Sequence, residues 1–594
     1  MLRLRPVLRG PGLSFAGSGR RLQSNNAADG FVRATAPLPI ELGPPPPSPA
    51  RKHTGSGKPR RWRQRLAYTT AGLAVLFTVD YNVNESALIR TLRCAAVLSV
   101  VAADYKLNFE EGKDIEALHT RSANRIYDLV TANGGLYIKM GQAIAMQASV
   151  LPAVFQRKFS RLFDMAPQDP WAEIERLFEH DFGRMPDEVF RSIEHRPVAS
   201  ASVAQVHKAQ LITGEWVAVK IQHPKIETQV WWDLSAYKAM MYLYDRFWFD
   251  MPVYFTVAYT CNRLAAETDF RNEARNAENL RAKLETEPSL RSRVYIPRLY
   301  EDLCSEHVLT TEWIDGVAMS NQAELDKRGW NKTEIMDTMV NLFAAQIFRW
   351  GVVHCDPHPG NIILRPRTPG SKKLELVLID HGLYIYERDE FRREYCQLWT
   401  NMFIFNDAAI REIIKGWGIG SFDLFTTSVM LRPYRGDRRE NSQDKPPVPT
   451  TFEQQTRMKE QMKNFLTDST KMPLELLFLG RNMRIVQACN MLMGSPVNRV
   501  KILAEWASSS QTVGAPGVSW RERVRAWWSH IKFMGSVAGT DAVFYIARAR
   551  QVVLRQAGAG FEDMIQRRMK GVAREQFGME IADMALAEGV DVVE

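Results

Sequence analysis

His354-Cys355-Asp356-Pro357-His358-Pro359-Gly360-Asn361, followed by Leu378-Ile379-Asp380-His381-Gly382, decides how this chain is read. An aspartate with an asparagine five residues on, then Asp-X-Gly after an apolar run, is the spacing of a phosphoryl-transfer site. Asp356 is suited to orient or deprotonate an acceptor hydroxyl. Asn361 and Asp380 offer oxygen to Mg²⁺, a hard cation that takes oxygen ligands and bridges phosphates. Two protein oxygens suffice, since ATP and water fill the other positions. In isolation Asp-Pro-His-Pro-Gly-Asn reads as readily as a tight surface turn. The upstream sequence separates the two readings.

Glu215-Trp-Val-Ala-Val-Lys220-Ile221 follows the turn Thr213-Gly214 and alternates as the second strand of a hairpin. Lys220 stands where a kinase carries the lysine that grips the α and β phosphates, and Glu273, on a helix farther along, is the carboxylate expected to hold it. No Gly-X-Gly-X-X-Gly precedes Lys220. In its place is Ala199-Ser200-Ala201-Ser202, which permits a close turn but lacks glycine's positive φ, so the nucleotide is expected to sit differently. Thr310-Thr-Glu312-Trp313-Ile-Asp315-Gly316 follows an apolar strand and is expected to form the hinge, with backbone at Glu312 and Trp313 facing adenine. Earlier still, Lys139 and Gln142 share a helical face, and Gly141 between them would admit another backbone.

These residues together resemble the UbiB family, the aarF-domain-containing (ADCK) atypical kinases, from about Arg121 to Val429. The resemblance rests on Lys-X-Gly-Gln at Lys139, the alanine-rich loop, Val-Ala-Val-Lys at Lys220, Glu-X-Asp at Glu267 and Asp269, and the two motifs quoted first. It implies an α+β, protein-kinase-like two-lobed fold. A helical N-terminal extension would pack over the active site, with Lys139 and Gln142 directed at Glu267 and Asp269 and obstructing protein substrates. It further implies an ATPase or a kinase of small molecules or lipids, using ATP/ADP and Mg²⁺, in quinone or lipid homeostasis. Ser200 departs from the family's run of alanines.

With 594 residues, 45% of them hydrophobic, the chain can fill two lobes and more. The expected order is a presequence and Pro-rich linker (1–60), a membrane-proximal helical segment (61–120), the Lys-X-Gly-Gln extension (121–165), an N-lobe (166–310), a C-lobe (311–430), an exposed insertion (431–455) and a helical C-terminal region (456–594). Arg3, Arg5, Arg9, Arg20 and Arg21 precede the first acid, Asp29, the pattern of a mitochondrial presequence. Pro44 to Pro49 reads as a stiff spacer.

Six cysteines without Cys-X-X-Cys exclude a disulfide framework and a zinc knuckle. The net charge of +10 collects partly in the presequence and in Lys52 to Arg65, and no motif reads bases, so nucleic acid is excluded as a partner. Leu66 to Val79 is apolar but shorter than the roughly 20 residues of a spanning helix. Crossing with snorkelling arginines, lying at the interface and packing inside the protein all fit it. If it crosses the inner mitochondrial membrane, the basic run puts the catalytic domain in the intermembrane space. Cys94 to Ala103 reads as part of a packed helix.

Asn331 is expected to cap a helix with an apolar stripe through Ile335, Met339 and Ile347. No Ala-Pro-Glu follows Asp380, and a helix from Glu387 leaves little room for a peptide-binding segment. Trp506, Trp520, Trp527 and Trp528 are expected to pack in the C-terminal helical core rather than meet a membrane. The expected function is a membrane-associated mitochondrial atypical kinase or ATPase, with membrane or quinone-pathway lipids and a mitochondrial protein complex as partners. Two alternatives stand beside it: a nucleotide-dependent lipid-binding scaffold, and a phosphotransferase resembling the aminoglycoside kinases, against which Lys-X-Gly-Gln speaks.

Overall fold

The computed structural model describes residues 59–146, 152–159, 161–162, 168–246, 254–420, 422–430, 470–511, 520–554 and 560–577, with 453, 456 and 460. The expected presequence and linker, and the insertion over 431–455, fall almost wholly outside these residues. The chain divides into two compact units, Met1–Thr69 and Thr70–Glu594. In the first, the described residues are the opening turns of α1 (Pro59–Val83), where Trp62, Leu66 and Tyr68 are exposed.

In the second unit α1 continues with Leu73, Val75, Leu76 and Val79 exposed, and buries Asp80 in its last turn. The Asp80 carboxylate accepts from the Leu88 amide at 2.9 Å and the Ile89 amide at 3.4 Å, the open first turn of α2 (Ala87–Asn108). That contact fixes a sharp bend. Among the described residues no single helix is long and apolar enough to cross a bilayer; Arg61–Val83 and Ala87–Asn108, bent by 105°, meet the requirement only as a pair. Cys94 of α2 is buried with residues of α3 (Ile115–Asn133), α4 (Gly135–Met146) and α5 (Ala153–Phe159) around Val130, Tyr137 and Phe159.

The first lobe is built on an antiparallel sheet. After α6 (Trp171–Phe182) and α7 (Pro186–Val189) come β1 (Phe190–Ile193), β2 (Ala199–Ser200), β3 (Ala204–Leu211) and β4 (Trp216–Gln222). Gly214 turns the chain between β3 and β4 at φ +96°, a conformation costly for any residue with a Cβ. Strand alternation then sorts β4: Val217, Val219 and Ile221 are fully buried against Ile174 and Phe178 of α6, so Lys220 faces the other way.

Two helices that the sequence reading did not separate follow β4, namely α8 (Ile226–Tyr244) and α9 (Tyr254–Ala266). Leu136 of α4 shares a core with Leu234 of α8 and Cys261 of α9, which ties the N-terminal helices to this lobe. Arg90 and Asp233 form a buried ion pair between α2 and α8. Next, α10 (Phe270–Glu285) buries Phe270, Glu273, Ala277, Leu280 and Leu284 at helical spacing. After α11 (Pro288–Arg291) and β5 (Val294–Tyr295), β6 (Val308–Glu312) completes the sheet in the order β1-β3-β4-β6, with β2 on β3.

The second lobe is mostly helical. It comprises β7 (Val317–Ala318), α12 (Gln322–Lys327), α13 (Lys332–Ala345), β8 (Val352–His354), β9 (Ile362–Pro366), β10 (Leu374–Leu378), β11 (Tyr384–Tyr386), α14 (Asp389–Phe403), α15 (Asp407–Gly416) and α16 (Phe422–Met430). Beyond these lie α17 (Glu475–Leu492), α18 (Arg499–Gln511), α19 (Trp520–Leu554) and α20 (Phe561–Phe577). β8 pairs with β11 and β9 with β10, so the two loops that carry the motifs leave neighbouring strand ends.

Ile335, Met339 and Phe343 of α13 pack with Leu280 of α10 and with Ile485 and Cys489 of α17 in one core. The Asn331 side chain caps α13, accepting from the Thr333 and Glu334 amides at 3.0 and 3.4 Å. Asn331→Ala is expected to cost about 1 kcal/mol, read as a lower urea midpoint. The architecture is the expected α+β, two-lobed one with a helical N-terminal extension and added C-terminal helices. One expectation is overturned. Trp527 and Trp528 are 58% and 55% exposed, because the face of α19 that packs is the opposite one; Trp506 alone of the named tryptophans is packed against the core among the described side chains.

Candidate active site

Strand, helix and loop bring three charges together between the lobes. Lys220 Nζ lies 2.8 Å from both carboxylate oxygens of Glu273 and 3.5 Å from Asp380 Oδ2. The ammonium also sits 5.2 Å from the centre of the Phe270 ring. Burial alone would lower the Lys220 pKa, but Asp380 and Glu273 outweigh it and hold the amine above the ordinary lysine range, so it stays charged. Asp380 is also pulled up by burial. Lys220 and the Gly382 amide, at 2.9 Å, overcome that pull and keep the carboxyl well below the usual range.

The loop after Asp380 is held by buried polar contacts. The His381 amide donates to Glu273 Oε1 at 3.2 Å, and its carbonyl accepts from Asn276 Nδ2 at 3.0 Å. Burial, with His354 nearby, pushes the His381 imidazole down to about 3. It therefore stays neutral, bridging the Tyr384 hydroxyl at 2.9 Å and the Leu378 carbonyl at 3.2 Å. Glu273 thus connects Lys220 of one lobe to the Asp380 loop of the other.

Asp356 lies at the other loop. Asn361 Nδ2 donates to the Asp356 carbonyl at 3.3 Å, and the Asn361 carbonyl accepts from the Ile379 amide at 3.1 Å, one residue before Asp380. The side chain of Asp356 pairs with Arg481 Nη2 of α17 at 2.9 Å. Burial raises this carboxyl, yet Arg481, with His358, His354 and Lys139, lowers it below the usual range. Asn482, beside Arg481, donates to the His354 carbonyl at 2.6 Å and pins α17 to the loop. Sequence reasoning missed Arg481 and Asn482. They lie more than a hundred residues downstream, in a helix with no motif.

The alanine-rich loop closes the β2–β3 hairpin, with the Ala201 amide bonded to the Ala204 carbonyl at 2.7 Å. Ala199 and Ala201 are exposed, Ser200 is half-buried and Ser202 is buried. His223 Nε2 lies 2.9 Å from the Ala201 carbonyl, and its other ring nitrogen 2.6 Å from Asp169. The hinge expectation requires correction at both of its named residues. The Glu312 amide donates to Arg298 and the Trp313 amide to Trp216, at 2.8 and 3.0 Å, so neither N–H faces a base. Glu312's carboxylate accepts from the Tyr295 hydroxyl, and Trp313 Nε1 donates to Asp315 at 2.9 Å.

Lys139 forms an ion pair with Glu267, which closes the extension onto the lobe. The rest of the expected lock differs. Gln142 Nε2 donates to the Leu162 carbonyl at 3.0 Å, within the extension, and Asp269 caps α10 and pairs with Arg271 at 2.9 Å. An aspartate at an open helix N-terminus is better satisfied by the first-turn amides than by a distant amide side chain. Gly141 admits side chains rather than backbone: a Cβ there would collide with Leu162 and lie 3.0 Å from Val130.

The donor set suits Mg²⁺. Asp380 supplies a carboxylate and Asn361 an amide oxygen, both hard oxygens from adjacent strand ends, and Asn361's amide nitrogen is already engaged. Among the described residues no group of three or more His, Cys, Asp or Glu forms a metal cage. Two protein oxygens beside a nucleotide's phosphates are what Mg²⁺ commonly takes.

A family model described as the ABC1 atypical kinase-like domain matches residues 161–414. An ABC1 family protein of Schizosaccharomyces pombe is 40% identical over 80% of this chain and 88% of its own length. AarF domain-containing protein kinase 1 of Gallus gallus is 32% identical over 63% of this chain and 73% of its own. Among solved structures, the complex of Rv3197 with erythromycin from Mycobacterium tuberculosis aligns with 66% of this chain and 94% of that one, at 23% identity and a TM-score of 0.40. With this sequence similarity running over most of both chains, the protein belongs to the ABC1, or AarF (UbiB), family of atypical kinase-like proteins.

Proposed function

We propose that this protein hydrolyses ATP, or transfers its terminal phosphoryl group to a small or lipid-linked acceptor, in an Mg²⁺-dependent reaction. One observation carries the reading: Lys220 stands between Glu273 and Asp380, with Asp356 and Asn361 on the neighbouring loop. Lys220, charged and fixed by Glu273, would bind the phosphates. Asn361 and Asp380 would hold Mg²⁺, which when bound neutralises charge developing on the phosphoryl oxygens. Asp356, ionised, would orient the acceptor hydroxyl or water through its carboxylate oxygens.

The place of action belongs to the same proposal. An Arg-rich, acid-poor N-terminus and the exposed apolar residues of α1 support a mitochondrial membrane protein acting on membrane or quinone-pathway lipids, within a protein complex and with its catalytic domain in the intermembrane space. The second reading, a nucleotide-dependent lipid-binding scaffold, is favoured by one contact, the Arg481 guanidinium engaging the Asp356 carboxylate. Incubating the purified protein with Mg-ATP and mitochondrial lipid extract separates the two. Phosphate release or a new phosphorylated lipid, abolished by EDTA, is expected; nucleotide binding with neither product selects the scaffold.

Arg481 gives a pH test. Its charge lowers Asp356, so Arg481→Gln lets burial raise that carboxyl. The acid limb of phosphate release, where Asp356 takes up its proton, is therefore expected at higher pH in the variant. Superimposed profiles would remove Asp356 from the rate-controlling ionisation.

A further inference from the structure

α19 packs by one face and leaves the opposite face uncovered. Phe533, Val537, Phe544 and Ala547 are buried, and Asp541 is engaged by Lys501 at 2.8 Å. Trp527, Trp528, Ile531, Tyr545, Ile546 and Val553 are exposed. At about 100° per residue these six fall in one sector of the helix. The intervening positions of that sector carry only small residues, Gly535, Ala538, Ala542 and Ala549, all exposed as well. No charged residue enters it over about 40 Å of helix.

One border of the sector is basic: Lys532 and Arg550 follow it, both exposed. Along the other, Arg548 donates to the Gly494 carbonyl at 3.4 Å and Asp541 is paired with Lys501. Across Trp520–Leu554 six lysines and arginines stand against two acids, Glu522 and Asp541. Two exposed cations along one edge of a charge-free strip suit a surface of opposite charge, and tryptophan and tyrosine favour the headgroup level of a bilayer. The buried face holds α19 against the body of the protein, so the helix can lie along a membrane but not thread it.

We propose that this face of α19 is a membrane-docking surface for anionic phospholipid, its apolar strip reaching the acyl boundary while Lys532 and Arg550 meet headgroups. The proposal does not depend on the nucleotide site. Its test is sedimentation of the full-length protein with phosphatidylcholine vesicles, with and without phosphatidylglycerol. Trp527→Glu with Ile546→Glu is expected to weaken partition into anionic vesicles by about tenfold or more, with the thermal unfolding midpoint kept. Lys532→Glu with Arg550→Glu is expected to remove the preference for phosphatidylglycerol, as is high salt. Wild-type binding by both double variants would overturn the proposal and leave α1 as the anchor. A shift from dimer to monomer in Trp527→Glu with Ile546→Glu, with vesicle binding unchanged, would equally overturn it and assign the face to a second copy of the chain.

Discussion

Asp380→Asn is expected to lower Mg-ATP-dependent phosphate release by about 10²–10³-fold while leaving the protein folded. The substitution keeps an oxygen for the Gly382 amide, now 2.9 Å from Asp380 Oδ1, and it leaves Glu273 bonded to Lys220 and to the His381 amide. The loop should therefore hold its shape. What disappears is the negative charge that Lys220 stabilises and that a divalent cation requires. A neutral amide oxygen is a far weaker ligand for Mg²⁺ than a carboxylate, and with Asn361 the site would then present two neutral amides. Nucleotide binding without metal should change little, so the thermal shift produced by ADP in EDTA serves as the control. Wild-type phosphate release from Asp380→Asn would remove Asp380 from metal binding altogether.

The meeting of Lys220, Glu273 and Asp380 was legible in the sequence because the expected phosphate chemistry leaves few substitutes for a fixed cation, the carboxylate that holds it and a metal ligand. The alternating run put Lys220 on a strand, and Glu273 was placed on a helix farther along. Chain order did the rest; which faces they take came only from the fold. Arg481 was not legible, since an arginine in a helix has no local signature and its pairing with Asp356 arises only when α17 packs onto α13. The hinge failed for a related reason. A strand followed by Asp-Gly locates a crossing between lobes, but which amides remain open depends on hydrogen bonds to the Trp216 and Arg298 carbonyls, neither of which is near in sequence. The exposed tryptophans of α19 misled because an apolar helix face looks the same in sequence whether protein or lipid is to cover it.

Lys139→Ala tests the one part of the lock that joins the extension to the lobe. Glu267 has a side chain only 4% exposed, and Lys139 is the cation paired with it. Removing the amine strands a buried carboxylate, which typically costs about 3–5 kcal/mol. Gln142 and Gly141 do not replace the lost contact, because both bind α4 to Leu162 rather than to the kinase-like lobe. Hydrogen exchange across Gly135–Met146 should therefore quicken by about 10²-fold or more, the equivalent of such a loss if α4 opens as a unit. Nucleotide turnover should change as well, since the Lys139 ammonium also helps hold Asp356 and Asp380 ionised. A double variant separates closure from charge. Lys139→Met with Glu267→Leu replaces a buried pair by apolar groups of similar volume, an exchange that is commonly neutral or stabilising. Slow exchange in α4 should return in the double variant, while the altered turnover should persist because the ammonium is still absent. If Lys139→Ala leaves both exchange and turnover at wild-type values, the ion pair does not close the extension over the site.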